Sequence, residues 1–447
     1  MPRRLHALAA IALTACGPRS EPSATSAASS ASSPAPVSSP SGSVAPSASA
    51  KTDLTTGASV VDRYGDPVVA DGKIDGAALR KRNRERLKAD TSPVTILEGK
   101  SARELGARIC EAVVPKRPAA TPILLKPNIC GIDAVKKPPS PNGDDGVKGR
   151  TTDPEFVRGV VRCLKKRGHT KVTIAEGCGL THGPFEELLE VSGYAAMARE
   201  EGVALVGMND DGTYDVEGEQ PGKPFAVTGL DDTLVPTLML PKVLAEHLDH
   251  GLWISIPKLK THRFSVVSLG IKGMQGVVMT SDRRPAHQQK WRMHKELNEW
   301  VREKPAPGEP DDRAAYVADL TAFGKRMAFV LEVAAPDVVL VDGAPATSGD
   351  GFQDLRPSKE LVAIGGTNTI AVDKVGSMFL GLWNSERLGL GLRGIKSSPL
   401  VTIAAQQFGV DLDAVQITGD GAPLLAKPRP VYFKAIAPFG FDVPAPP

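Results

Sequence analysis

Residues 151–176 read TTDPEFVRGVVRCLKKRGHTKVTIAE, and the fold class turns on them. Thr152 and Asp153 stand directly ahead of Pro154 and Glu155. A short oxygen-bearing side chain can bond the free N–H groups of a first helical turn, and a proline there has no N–H to lose. This is a helix start. The helix should run to about Arg167 and stop at Gly168, a residue that tolerates the left-handed conformation at a helix end. Lys171 to Ala175 then reads as a strand.

The same alternation continues on both sides. Ser101 to Val114 reads as a helix and Pro122 to Leu125 as a short apolar strand. Downstream, Phe185 to Glu201 reads as a helix and Val203 to Met208 as a strand. Leu252 to Ile256, Val338 to Val341 and Leu361 to Ile364 read as further strands, and Thr369 to Leu380 as a helix. Strands alternating with helices of this length imply right-handed βαβ units and an α/β fold with a largely parallel sheet. The main domain should begin near Ser92. Ahead of it, residues 53–90 read as a preamble with a turn at Gly65-Asp66-Pro67 and a charged helix from about Asp75 to Lys88.

Polar residues sit at the carboxyl ends of these strands. Lys126 and Asn128 follow Ile123–Leu125, Glu176 follows Thr173–Ala175, Lys258, Lys260 and His262 follow Trp253–Ile256, and Asp342 follows Val338–Val341. In open α/β sheets that edge is where ligands bind. Three lysines near one strand end (Lys258, Lys260, Lys272) would suit a carboxylate or phosphate, and a desolvated lysine can act as a base. A solvated basic loop is the competing reading. Glu176, Asp342 and Asp373 could hold a divalent cation, since oxygen ligands suit magnesium or calcium. They could equally serve as acid and base, or as ion-pair partners of the lysines. Gly349 and Gly351 could let backbone amides approach an anion. Among the histidines, His182, His262, His287 and His294, the last two would share a helix face. Yet Asp282 to Lys295 is rich in Arg, Gln and His and reads as a surface lid or loop.

These residues form an ordered set: Leu125-Lys126-Pro127-Asn128, Thr151-Thr152-Asp153-Pro154, Val172 to Gly177, Ile256-Pro257-Lys258-Leu259-Lys260-Thr261-His262, Gly270 to Gly276, Val341-Asp342-Gly343, Ser348-Gly349-Asp350-Gly351 and Ala371-Val372-Asp373. The set resembles the bacterial and archaeal family called domain of unknown function 362, over about Thr91 to Leu382. Pro257 to His262 is its most specific piece. The family usually has Lys-Asn-Leu-x-Gly where this chain has Lys272-Gly273-Met274-Gln275-Gly276, and Asn-Gly-Pro where it has Asp350-Gly351-Phe352. Many members resemble iron–sulfur proteins through a ferredoxin-like cysteine cluster. This chain has no Cys-x-x-Cys-x-x-Cys run, so no iron–sulfur cluster is expected.

The expected site follows. Lys126, Glu176, Lys260 and Asp342 are the candidate catalytic groups. Asn128, Thr152, Lys258, Thr261, His262, Lys272, Gly349 and Gly351 are the candidate substrate-binding groups. A divalent cation on Glu176, Asp342 and Asp373 is the cofactor the chemistry allows. Motifs for nucleotide phosphates and for serine hydrolases are missing: there is no Gly-x-Gly-x-x-Gly at a strand–helix junction, no P-loop and no Gly-x-Ser-x-Gly elbow.

The amino terminus carries a separate signal. Arg3 and Arg4 precede a short apolar run, Leu5 to Leu13, and Leu13-Thr14-Ala15-Cys16 reads as a lipobox. The run is too short to span a bilayer, which needs about 20 residues. A cleaved signal peptide over residues 1–15 with lipid on Cys16 fits. Gly17, not Asp, follows the cysteine, which favours the outer membrane. From Ser20 to Ala50 all but five of 31 residues are Ser, Ala or Pro. Such a stretch cannot bury enough to offset its ordering entropy. Residues 16–52 therefore read as a disordered tether, and about 35 such residues reach roughly 30–40 Å. Residues 91–447 remain for the α/β domain. Its expected location is the bacterial cell envelope. Its expected partners are the membrane, through Cys16, and a small anionic ligand. The net charge of +3 argues against a dedicated nucleic-acid binder. Past Cys16 the cysteines are Cys110, Cys130, Cys163 and Cys178, with no close pair for a zinc site. One or two disulfides and buried free thiols are both open. Three function classes result: an enzyme on a small anion, a non-catalytic lipoprotein binding a ligand or envelope partner, and a redox protein.

Overall fold

A computed structural model describes residues 67–130, 149–177, 182–208, 222–279, 290–297, 312–351, 354–427, 433–434 and 442–443. Cys16, the tether, Cys178 and His287 lie outside them.

The core is one mixed sheet. Its path runs Ile417–Thr418, Val94–Gly99, Leu361–Gly366, Val338–Gly349, Leu252–Ile256, Ile123–Pro127, Val172–Glu176 and Ala204–Gly207. Along this path only Leu361–Gly366 runs against the others, antiparallel to both of its neighbours. The other pairs are parallel. The α/β class and the largely parallel sheet are therefore as expected. Ile123–Pro127 and Leu252–Ile256 are buried along their whole length, as strands covered by helices on both faces must be. A second, small sheet joins Val69–Ala70, Lys73–Asp75, Pro224–Thr228 and Met239–Pro241.

The opening stretch folds as read. Asp153 caps the helix Pro154–Lys166, its Oδ1 accepting from the Glu155 N–H at 2.8 Å. The strand that follows is Val172–Glu176. This helix packs on Ala102–Val113 with almost no clearance. A methyl group on Gly106 would lie 2.0 Å from the Phe156 carbonyl oxygen, and one on Gly159 would lie 2.2 Å from that of Arg103. Only glycine permits so close a crossing. The Cys110–Cys163 disulfide joins the same two helices, and Cys130 is a free thiol.

Four elements differ from the sequence reading. Phe185 to Glu201 is two helices, His182–Val191 and Tyr194–Glu201, because Gly193 between them takes φ 80°. Val338 does not stop at Val341 but continues as a twelve-residue strand to Gly349. Val94–Gly99 is a strand that the reading lacked. Most consequential, Lys258–His262 is itself a strand, not a basic loop. All five of its residues are buried, and it pairs with Val266–Ser268 and with the long strand. The segment read as a preamble is bonded into the domain. Lys73–Asp75 pairs with Pro224–Thr228, and the Asn83 amide donates to the Glu332 carbonyl at 2.8 Å.

Candidate functional site

The parallel strands end on one edge of the sheet, and the expected polar residues meet there. Lys126 and Glu176 are neighbours because Ile123–Pro127 pairs in register with Val172–Glu176. Their Nζ and Oε1 stand 2.8 Å apart, and each side chain is almost fully buried. The Glu176 carboxylate also accepts the backbone N–H groups of Ile129 at 3.1 Å and Gly177 at 2.8 Å. Gly276 lies directly over this pair. A Cβ there would meet Glu176 Oε1 at 2.5 Å and Lys126 Nζ at 2.6 Å.

A second pair sits on the far side of the Leu252–Ile256 strand. Lys258 Nζ donates to Asp342 Oδ2 at 2.8 Å, and neither side chain reaches solvent. Asp342 also accepts from the Asp153 N–H and the Ala344 N–H, each at 2.8 Å. It thereby ties the start of the Pro154–Lys166 helix to the long strand. Next to the pair, Thr152 Oγ1 donates to the Ile256 carbonyl and accepts from the Asn128 N–H. Tyr194 OH donates to the Thr152 carbonyl. Burial, then the charges of Asp342, Asp153 and Glu176, hold the Tyr194 phenol well above its usual range, so it stays a neutral donor.

Lys260 faces carbonyls. Its Nζ donates to Arg150 O at 2.9 Å and Gly351 O at 3.1 Å, and the Asn128 amide donates to the same Arg150 oxygen at 2.8 Å. Burial is the largest reason that the Lys260 amine is pushed down. Thr261 Oγ1 donates to Gly349 O at 2.7 Å. Gly349 and Gly351, expected to offer amides to an anion, use their carbonyls within the protein. They present carbonyls to this strand, and at Gly351 a Cβ would lie 2.6 Å from the Thr261 oxygen.

His262 is buried, with Nδ1 accepting from the Phe264 N–H at 3.0 Å. Burial first, then Lys272 and Lys260, lower its pKa far below the usual value, so the ring is neutral. His294 packs against Phe264 and Phe323 and falls to about 3 for the same leading reason. Its Nδ1 is buried without a hydrogen-bond partner. The expected surface lid is thus partly a core segment: Lys290, Met293 and His294 are all buried, and residues 281–289 lie outside the described ones.

Lys272 differs from the other lysines. It is only partly buried, and its Nζ donates to Gln275 Oε1 at 2.6 Å. Burial, followed by Lys260 and Lys126, lowers it to about 8, against the opposing influence of Cys130 and Glu176. Asn128 and Cys130 are also partly exposed, and Cys130 Sγ lies 3.5 Å from Asn128 Oδ1. Composition offered no signal for Cys130, Gln275, Gly276 or the Arg150 carbonyl. Their roles depend on chain segments that meet only in the fold.

The three carboxylates do not fit the divalent-cation site expected of them. Glu176 and Asp342 spend their oxygens on a lysine and two N–H groups each. Asp373 accepts from the Gly270 and Ile271 N–H groups at 2.7 and 2.9 Å. Among the described residues no group of three His, Cys, Asp or Glu side chains is arranged to hold a metal ion.

Comparison with known proteins adds the following. Residues 123–378 match the family described as Domain of unknown function (DUF362). No curated protein matches. A crystal structure of a protein from Thermotoga maritima aligns at 11% identity with a TM-score of 0.35, covering 63% of this chain. The alignment spans 59% of that protein's chain.

Proposed function

This chain belongs to the domain of unknown function 362 family, and from that premise we propose that its α/β domain acts on a small anionic substrate at the carboxyl edge of the sheet, while a lipid on Cys16 tethers it in the bacterial cell envelope. One observation carries the reading. Lys126, Lys258, Lys260 and Lys272 converge on one edge, and two carboxylates, Glu176 and Asp342, bond to only two of them. The lowered Lys260 and Lys272 amines reflect burial first, joined by repulsion from Arg150 and Lys258 on the one and from Lys260 and Lys126 on the other, which an anion would relieve.

The division of labour supported by the geometry differs from the sequence reading. The pairs Lys126–Glu176 and Lys258–Asp342 are closed on themselves, so they position the edge and hold a fixed field there. Lys272, Asn128 and Cys130 are the partly exposed groups that a substrate can touch. A non-catalytic binding lipoprotein is the second reading, and the closure of both ion pairs favours it.

Native mass spectrometry of the purified mature protein tests the site. Retention of a small anion, lost in Lys272→Met, is the expected result. A ligand-free protein whose stability no phosphate or carboxylate changes would sink the proposal. For the anchor, Cys16→Ser should move the protein from the membrane to the soluble fraction of the cell. Unchanged fractionation would dispose of the lipid.

A further inference from the structure

We propose that Lys272 is an imine-forming lysine, whose amine adds to the carbonyl carbon of a small anionic aldehyde or keto acid at the carboxyl edge. The inference rests on the anion-site reading above and names the substrate class.

The placement of the amine comes first. Lys272 lies on the one-turn helix Gly270–Gly273, which directly follows Val266–Ser268. That turn cannot swing freely, because the Asp373 carboxylate accepts the N–H groups of both Gly270 and Ile271. The Nζ is then oriented by Gln275 Oε1, and the Gln275 amide is itself held by donating to Lys290 O at 3.0 Å. Among the four clustered lysines, Lys126, Lys258 and Lys260 are 3%, 1% and 1% exposed, whereas Lys272 is partly open. Its hydrogen-bond partner is the neutral Gln275 amide rather than a carboxylate.

The surroundings fit the chemistry. The Lys272 Nζ lies 5.9 Å from the centre of the Phe323 ring, and His294 packs on the same ring at 5.4 Å between centroids. His294 is 96% buried, and its Nδ1 has no partner. The Phe323 ring and the neutral His294 packed on it give the amine an apolar flank that favours its unprotonated form. The reaction balances without an oxidant or reductant. The unprotonated amine forms a C–N bond to the carbonyl carbon, and a proton passes from nitrogen to the carbonyl oxygen. That C–O bond then breaks, oxygen leaves as water with a second proton from nitrogen, and a C=N bond remains. An amine near pKa 8 has about a tenth of its molecules unprotonated at pH 7, far more than an ordinary lysine. The positive charge of the buried Lys260 nearby favours the anionic end of the substrate, and Asn128 is a partly exposed group that can touch it.

The test is reductive trapping on the full-length protein with glyoxylate, an anionic aldehyde, and cyanoborohydride, read by peptide mass mapping. Lys272 should be modified on the order of a hundredfold faster than the exposed Lys88 and Lys166, in line with the fraction of free amine. The rate should rise through pH 8, and neutral glycolaldehyde should react more slowly at Lys272. The comparison among lysines in the wild-type protein does not depend on any variant folding. In parallel, glyoxylate without reductant is followed by thermal shift. A shift with no preference for Lys272 overturns the imine step and leaves the anion site standing. No shift and no preference overturn both.

Discussion

Lys258 and Asp342 show what a buried residue pair means at this edge. Both are fully enclosed, and Asp342 also bonds two N–H groups. Removing one partner leaves a charge with no water to solvate it. Lys258→Met should therefore cost about 3–5 kcal/mol of stability, measured by denaturant unfolding. Adding Asp342→Asn should recover part of that loss, because the stranded charge is gone. A double variant as unstable as the sum of the singles would show that the two do not act as a pair. The residue types were legible in the sequence: lysines and acids at strand ends pointed to this edge. Which of them solvent reaches was not. Lys258 and Lys272 look alike in a sequence, and only packing buries one beside Asp342 and leaves the other open.

Elements carry the next constraints. Helices Ala102–Val113 and Pro154–Lys166 are locked by the Gly106–Gly159 crossing and by the disulfide across 53 residues. A loop of that length, closed in the unfolded chain, contributes roughly 4 kcal/mol in the chain-entropy account. Reduction, or Cys110→Ser, should lower the melting temperature accordingly. No change on reduction would mean that the bond adds nothing. The short helix bearing Lys272 depends on Asp373, whose carboxyl burial pushes up to about 7, against the two N–H bonds that hold it down. The folded state then binds the proton more tightly than the unfolded chain, whose aspartate titrates near 3.9. This contribution is complete below about pH 4 and is lost as pH rises to 7. Asp373→Asn should flatten stability against pH in that window. A variant with the wild-type slope would show that another group is responsible. Sequence supplied the helix over 154–166, because its cap and stop are local. It misplaced Lys258–His262, because a strand made of Lys, Leu, Lys, Thr and His has no apolar pattern and is stabilised by its two neighbours.

For the molecule as a whole, the helix Gly76–Ala89 matters more than a preamble would. Glu332 is fully buried in the helix Asp312–Ala334. It accepts from Arg80 at 2.9 Å, from Arg84, and from Gln407 at 2.6 Å. One carboxylate thus ties three helices, the third being Pro399–Phe408. Glu332→Ala should cost about 3 kcal/mol and expose the 67–90 segment to protease, seen by limited digestion. An unchanged digestion pattern would mean that apolar packing alone holds the helix.

Local chemistry determined much of this protein. Caps, glycine stops and short apolar runs set the α/β alternation, and polar strand ends marked the edge where ligands bind. Those signals act over a few residues, so they survive in a linear sequence. Only the tertiary structure decided the rest. It made Lys258–His262 a buried strand, reversed Leu361–Gly366 within the sheet, and used the carboxylates on lysines and backbone N–H groups instead of a cation. It also left Lys272, alone of the four lysines at this edge, partly exposed. The physical reason is common to all four: burial and pairing depend on segments far apart in the chain, and the cost of an unpaired buried charge or N–H is settled only where they meet.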